Sequence, residues 1–288
     1  MLDDRQRLTE TALTPTGGIP LAPTALDLGV VAHTSRRGNR LLRRLIGIVG
    51  FVAIWEVASL VIGDRVILPS VQSTVSTFVH YMGQPYPSEG VPLWEDALVS
   101  LGRILAGFVL GTLAGMIVGA AMASVKIVKD LVDPIIEVTR PLPPLAFIPL
   151  FIVWFGIGET SKVLLIMFGV VPIMAIATVG ALEAVPNELL EAGKVLGANA
   201  RYNLLHVRIR AALPAIVTGM RIAMGVSWTS IVAVEMIAAT SGVGYVILQA
   251  GSYLVTSLVF SGIIIISALG LLLDSGLRLL LRQLGPAS

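Results

Sequence analysis

The chain has 288 residues, 55% of them hydrophobic and 13% charged, with a mean hydropathy of +0.88. Soluble domains carry roughly 25% charged residues, so this composition excludes a fully water-exposed surface and points to an all-α integral membrane protein whose apolar runs of about 20 residues cross a ~30 Å hydrocarbon core. The net charge is only +2 and there is no cysteine, which excludes thiol and disulfide chemistry.

Residues 1–40 are rich in Thr, Pro, Gly and Arg and read as a mobile tail, with a membrane domain over 41–285. The basic cluster Arg36, Arg37, Arg40, Arg43 and Arg44 precedes an apolar run from Leu45 to Ile62. That run is too long for a signal peptide and no A-x-A site follows, so it reads as a retained first helix. Six transmembrane helices are expected, at 42–63, 97–123, 133–156, 162–183, 212–239 and 256–281. Between the first two, Pro69-Ser70 opens a short interfacial helix over 70–82. Span two carries Gly107, Gly111, Gly115 and Gly119 at small-xxx-small spacing. This permits close helix approach, either within one subunit or at a subunit interface.

Charged groups inside a bilayer cost about 2.5–3.5 kcal/mol each on insertion scales, so each asks for a partner or water. The candidates are Glu56, Arg103, Glu137, Arg140, Arg221 and Glu235. Glu137 and Arg140 stand at i, i+3 and are expected to pair. Span three is interrupted by Pro141, Pro143, Pro144 and Pro149, which remove amide donors. Pro143 and Pro144 are therefore candidate pathway or hinge residues, with a packing kink as the alternative. Arg221 is expected to snorkel or to bind a helix end. Span five offers Trp228 and Glu235 to a path or gate. For Glu235 the alternative is a buried interhelical hydrogen bond. The hydroxyls of Ser227, Thr229 and Ser230 on the same span suit either a path or helix packing.

Lys and Arg set the orientation. With the N-terminus inside, the inner side holds most of the basic residues and the outer side only Arg65 and Lys162, so both termini come out cytoplasmic. The 184–211 segment is then a cytoplasmic loop. Within it, Asn187 to about Asn199 reads as an amphipathic helix with Leu189, Leu190, Ala192, Gly193 and Leu196 on one side. Glu188 and Glu191 suit its positive N-terminal end, and Gly197 is a stop. A second helical stretch, Ala200 to Ala212, leads back to the bilayer. A solvated connector is the alternative.

This loop resembles the EAA loop of ABC importer permeases, whose pattern is Glu-Ala-Ala, three residues, Gly, nine residues, Ile-x-Leu-Pro. Glu191, Ala192 and Gly197 match it. Gly193 replaces the second Ala, and Val207-Arg208-Ile209-Arg210 ends the pattern with Arg210 where the proline is expected. Further blocks extend the likeness over residues 45–285: Asp133 to Glu137, Arg140 to Ala146, Trp154 to Lys162, Thr218 to Ile222 and Glu235 to Tyr245. They are similar to the nitrate/sulfonate/taurine branch of these permeases, and within it most similar to taurine permeases.

The resemblance implies a type I ABC importer permease fold in a bacterial inner membrane. It implies a homodimer whose two copies form the pathway. Its further partners are two ABC ATPase subunits and a periplasmic or lipoprotein substrate-binding protein. Glu188, Glu191, Ala192, Gly193, Gly197 and Arg201 are then the ATPase-docking coupling loop, and the outer loop Thr240 to Gly244 is a candidate contact for the binding protein. The expected function is ATP-driven import of taurine or another sulfonate by alternating access. The alternatives are another small anion such as nitrate or bicarbonate, or an ion-coupled secondary transporter.

The sequence contains no Gly-x-x-x-x-Gly-Lys-Ser/Thr phosphate loop, so ATP hydrolysis is expected on partner subunits. His33, His80 and His206 are scattered without metal-ligand spacing. No catalytic residue, cofactor, metal or nucleic-acid partner is expected.

Overall fold

The computed structural model describes residues 36–284. The expected tail falls outside them, apart from residues 36–40, which already lie in the first helix. The chain divides into two compact units between Gly50 and Phe51. The described part of the first unit is the N-terminal half of α1 (Arg36–Ile62), exposed over residues 42–49.

The second unit holds the remaining elements. α2 (Val71–Gly83) starts at Ser70, whose side chain accepts from the Ser73 N–H at 3.2 Å. Glu56 assists by accepting from the Val71 N–H at 2.8 Å. A two-residue antiparallel hairpin, β1 (Pro85–Tyr86) with β2 (Val91–Pro92), leads into α3 (Leu93–Ser124). Then follow α4 (Lys126–Thr139), α5 (Ile148–Phe155) and α6 (Glu159–Glu183). α7 (Asn187–Val195), α8 (Ala200–Tyr202) and α9 (Ile209–Ala238) come next, and α10 (Val243–Ser252) and α11 (Thr256–Leu284) close the fold.

Among the described residues, five helices are long and apolar enough to cross a membrane. The pair Lys126–Thr139 and Pro144–Phe155, bent by 91°, makes a sixth if it is one span. The expected third span is therefore broken where the prolines fall. Pro141 and Pro143 cannot donate, and Pro144 opens a 3₁₀ turn, Pro144–Phe147, that redirects the chain.

α3 and α6 form the centre. A Cβ on Gly107 would stand 2.6 Å from Ile166 Cβ, one on Gly111 2.7 Å from Val170 Cβ and one on Gly115 2.5 Å from Met174 Cβ. The glycine ridge thus packs inside the subunit, and only glycine lets the two backbones come this close. Ile104, Phe108, Leu165, Ile166, Val170, Met174, Ile216 and Ile231 fill the core around that seam.

Candidate functional site

At one end of the fold, the segment between α6 and α9 forms two helical pieces at right places for the expected loop. Pro186 precedes α7, and Glu188 lies in its first turn. Gly197 adopts φ +85°, the left-handed region that glycine enters without penalty. The Ala198 N–H donates to the Gly193 carbonyl at 2.9 Å and the Gly197 N–H to the Lys194 carbonyl at 2.9 Å. These two bonds make a Schellman stop, with Gly197 as the residue just past the helix.

Gly193 is buried, and a Cβ there would stand 2.9 Å from Asn203 Oδ1. Asn203 in turn donates from Nδ2 to the Leu190 carbonyl at 2.8 Å. Glycine at this position is what lets α7 lie against the start of the returning helix. The expected single apolar side is therefore split. Leu190 and Gly193 face inward, whereas Leu189 and Ala192 are exposed, as are Val195 and Leu196 at 86% and 87%. Leu189, Ala192 and Leu196 follow helical spacing, so the outward face of α7 is an apolar stripe beside exposed Glu188 and Glu191, while exposed Arg201 lies with Leu190 and Lys194 around a neighbouring cavity.

Asn199 caps α8 by accepting from the Tyr202 N–H at 2.8 Å. The chain then runs through a π-helical stretch, Asn203–Arg208, straight into α9. Arg210 keeps its N–H and does not break the helix, and Pro214 lies inside α9. Arg208 ties this return to α6 by donating from Nε to the Leu182 carbonyl at 2.9 Å.

At the opposite end, a polar network, buried at Arg103, Glu235, Asp96 and Ser100 and exposed at Glu159, joins α3, α6, α9 and the 239–242 turn. Arg103 donates to Glu159 at 2.6 and 2.7 Å, to Glu235 at 2.7 Å and to the Ser241 carbonyl at 2.7 Å. Lys162 also reaches Glu159, at 2.9 Å. Glu235 accepts from Ser100 Oγ at 2.8 Å and from the Gly244 N–H at 3.0 Å. Asp96 accepts from the Gly242 N–H at 2.6 Å, and Ser100 Oγ from the Val243 N–H at 2.9 Å. The first amides of α10 are thus held by two carboxylates and a hydroxyl, the arrangement that a helix N-terminus favours.

Several expected residues change role. Glu235 is 1% exposed and belongs to this network, so the buried hydrogen-bond alternative describes its geometry. Of the expected outer loop at 240–244, Val243 and Gly244 already belong to α10 and are buried, and the Gly242 N–H is held by Asp96. Trp228 does not join the exposed face of α9; its indole lies against Gly270 of α11, whose Cβ would stand 3.5 Å from Nε1. Arg221 donates to Asp274 of α11 at 2.8 Å. Glu137 and Arg140 are both exposed and form no ion pair among the described residues.

Pro143 and Pro144 stand at the bend, where Pro144 sits over Gly169 of α6. Of the three span-five hydroxyls, Ser227 and Ser230 are buried and donate to carbonyls one turn back at 3.0 and 2.9 Å. Thr229 alone is exposed, on a face with Ala215, Thr218, Ile222 and Gly225.

Sequence reasoning missed Asp96, Ser100, Glu159, Lys162 and Ser241. Asp96, Ser100 and Arg103 repeat at i, i+4 and i+7, which places a carboxylate, a hydroxyl and a guanidinium on one face of α3.

The family described as binding-protein-dependent transport system inner membrane component matches residues 111–285. The chain is 40% identical over 232 residues to the taurine transport system permease protein TauC of Escherichia coli, covering 81% of this chain and 84% of that one. It is 35% identical over 236 residues to the putative aliphatic sulfonates transport permease protein SsuC of Bacillus subtilis, covering 81% and 83%. Among solved structures, an inward-facing form of the MetNI methionine ABC transporter aligns with a TM-score of 0.54 at 22% identity, over 67% of this chain and 94% of that one.

Proposed function

We propose a substrate and a mode of coupling for this chain, which belongs to the family of binding-protein-dependent transport system inner membrane components. It is a non-catalytic, multi-pass inner-membrane subunit of an ABC importer, of the taurine, sulfonate and nitrate type. The solute is a small organic sulfonate, and taurine is the first choice. That choice rests on the 40% identity to a taurine permease spread over 81% of the chain.

The end that carries α7 faces the cytoplasm, because Lys126, Lys129, Lys194, Arg201, Arg208, Arg210, Arg278 and Arg282 fall toward it while Arg65 and Lys162 fall toward the other. α7 is the docking element for an ABC ATPase. The observation that carries this is its exposed apolar stripe, Leu189, Ala192 and Leu196, on a helix ended by Gly197. Isolated leucines on a surface are ordinary, but a stripe at helical spacing on a loop suits a groove on a partner. Two copies of the chain enclose the pathway, with the exposed face of α9, Thr218 to Thr229, toward it. The fixed outer turn at 239–242 meets the binding protein. ATP-driven closure of the ATPases then moves α7 and reorients the spans, which requires the nucleotide to bind the two states differently.

The test is uptake of radiolabelled taurine into proteoliposomes holding the permease and its ATPase, with binding protein and solute outside and ATP inside. Taurine accumulation that an excess of an alkanesulfonate suppresses supports the reading. Accumulation of nitrate with none of taurine overturns the choice of solute and retains the importer.

A further inference from the structure

Arg140 stands apart from the other cations at membrane depth. Arg103 is held between Glu159 and Glu235, Lys162 by Glu159, and Arg221 by Asp274. Arg140 is exposed and has neither an ion-pair partner nor a side-chain hydrogen bond among the described residues. It sits at the bend of the broken crossing, directly after α4.

Its depth follows from its neighbours. Arg140 lines a cavity of about 150 Å³ with Phe168, Gly169 and Pro172 of α6 and Val226 of α9. These are mid-helix positions in Glu159–Glu183 and Ile209–Ala238, so the cavity lies near the middle of the membrane. An unpaired cation there cannot face lipid tails, and irregular backbone at that depth is tolerated only where protein buries it or water lines it. Arg140 therefore faces water or an anion.

The chemistry of the cavity narrows this. Pro141, Pro143 and Pro144 donate no amide hydrogen. The Thr139 hydroxyl already donates within its own helix, to the Ile135 carbonyl at 2.8 Å. The guanidinium is left as the free donor group, with five N–H groups in a planar fork that fits two oxygens of an oxyanion. Val226 is followed one turn later by exposed Thr229, so the cavity adjoins the face of α9 assigned above to the pathway.

We propose that Arg140 is the residue of the translocation pathway that recognises the anionic head of the solute, a sulfonate in the favoured reading, at mid-membrane. This rests on the import of an anionic solute and adds the residue that receives it.

The experiment measures uptake of taurine, methanesulfonate and nitrate in the full complex reconstituted with binding protein. Three variants are compared with wild type: Arg140→Gln, Arg140→Lys and Glu137→Gln. Assembly of each with the ATPase is followed by size exclusion. Arg140→Gln is expected to lower uptake about ten-fold or more, and Arg140→Lys to recover part of it, since Lys keeps the charge without the fork. Glu137→Gln is expected to stay within about two-fold of wild type, because no pair joins it to Arg140.

Wild-type uptake by Arg140→Gln would overturn the assignment and leave the importer reading intact. Equal loss in all three variants would also overturn it, pointing to a structural ion pair. If Arg140→Gln does not assemble, Arg140→Lys decides: uptake indistinguishable from a non-transporting control would count against charge recognition. Wild type that moves none of the three anions would overturn the anionic-solute reading, and this assignment with it.

Discussion

Two glycines in the α6–α9 connection have different physical reasons, and only one could be read from the sequence. Gly197 ends a periodic apolar stretch, and its φ of +85° makes it the expected stop. Gly197→Val places a β-branched residue in the left-handed region, at a cost of about 1–2 kcal/mol. The expected outcome is a frayed α7 and weaker co-purification of the ATPase, with the spans still folded. Gly193 departs from the family pattern, and the departure has no reason visible in neighbouring sequence. Its reason is Asn203, which the fold brings against α7. Gly193→Ala should destabilise the connection by about 1 kcal/mol, the order of a small overpacking, and Asn203→Ala should relieve it. A double-mutant cycle on thermal unfolding measures that coupling; additive effects would contradict the contact.

At the scale of elements, the seam between α3 and α6 depends on glycine. Gly115→Leu should disrupt it, since even a Cβ would lie 2.5 Å from Met174 Cβ, whereas Gly102→Leu meets open space. Thermal unfolding in detergent should therefore fall for the first and hold for the second. The outer network gives a second contrast. Arg103→Met leaves Glu235 buried without its cation, a loss of about 3–5 kcal/mol for breaking a buried pair. Arg221→Met removes a partner from half-exposed Asp274 and should cost well under half as much. The spans and the proline break were legible because apolar runs and prolines are local signals. The network was not, because the contacts of Arg103, Asp96 and Ser100 that build it reach residues 56 to 146 positions away in the chain. The hydropathy of α4 misled in the same way. Lys126, Lys129, Asp130 and Asp133 hid the helix that precedes the bend, and the expected span began only at 133.

For the whole molecule, membership of a binding-protein-dependent importer family makes the chain one subunit of a larger transporter. The sequence has no nucleotide-binding loop, and the described residues carry an exposed helix, α7, and six crossings if the bent pair is one of them. In the mechanism proposed above, solute moves only when an ATPase moves α7. The most direct measurement is ATP-dependent taurine accumulation in proteoliposomes, comparing wild type with Gly197→Val. The expected result is accumulation that needs ATP, ATPase and binding protein together and falls with the variant. Accumulation driven by an ion gradient alone, without the ATPase and indifferent to Gly197→Val, would contradict the account.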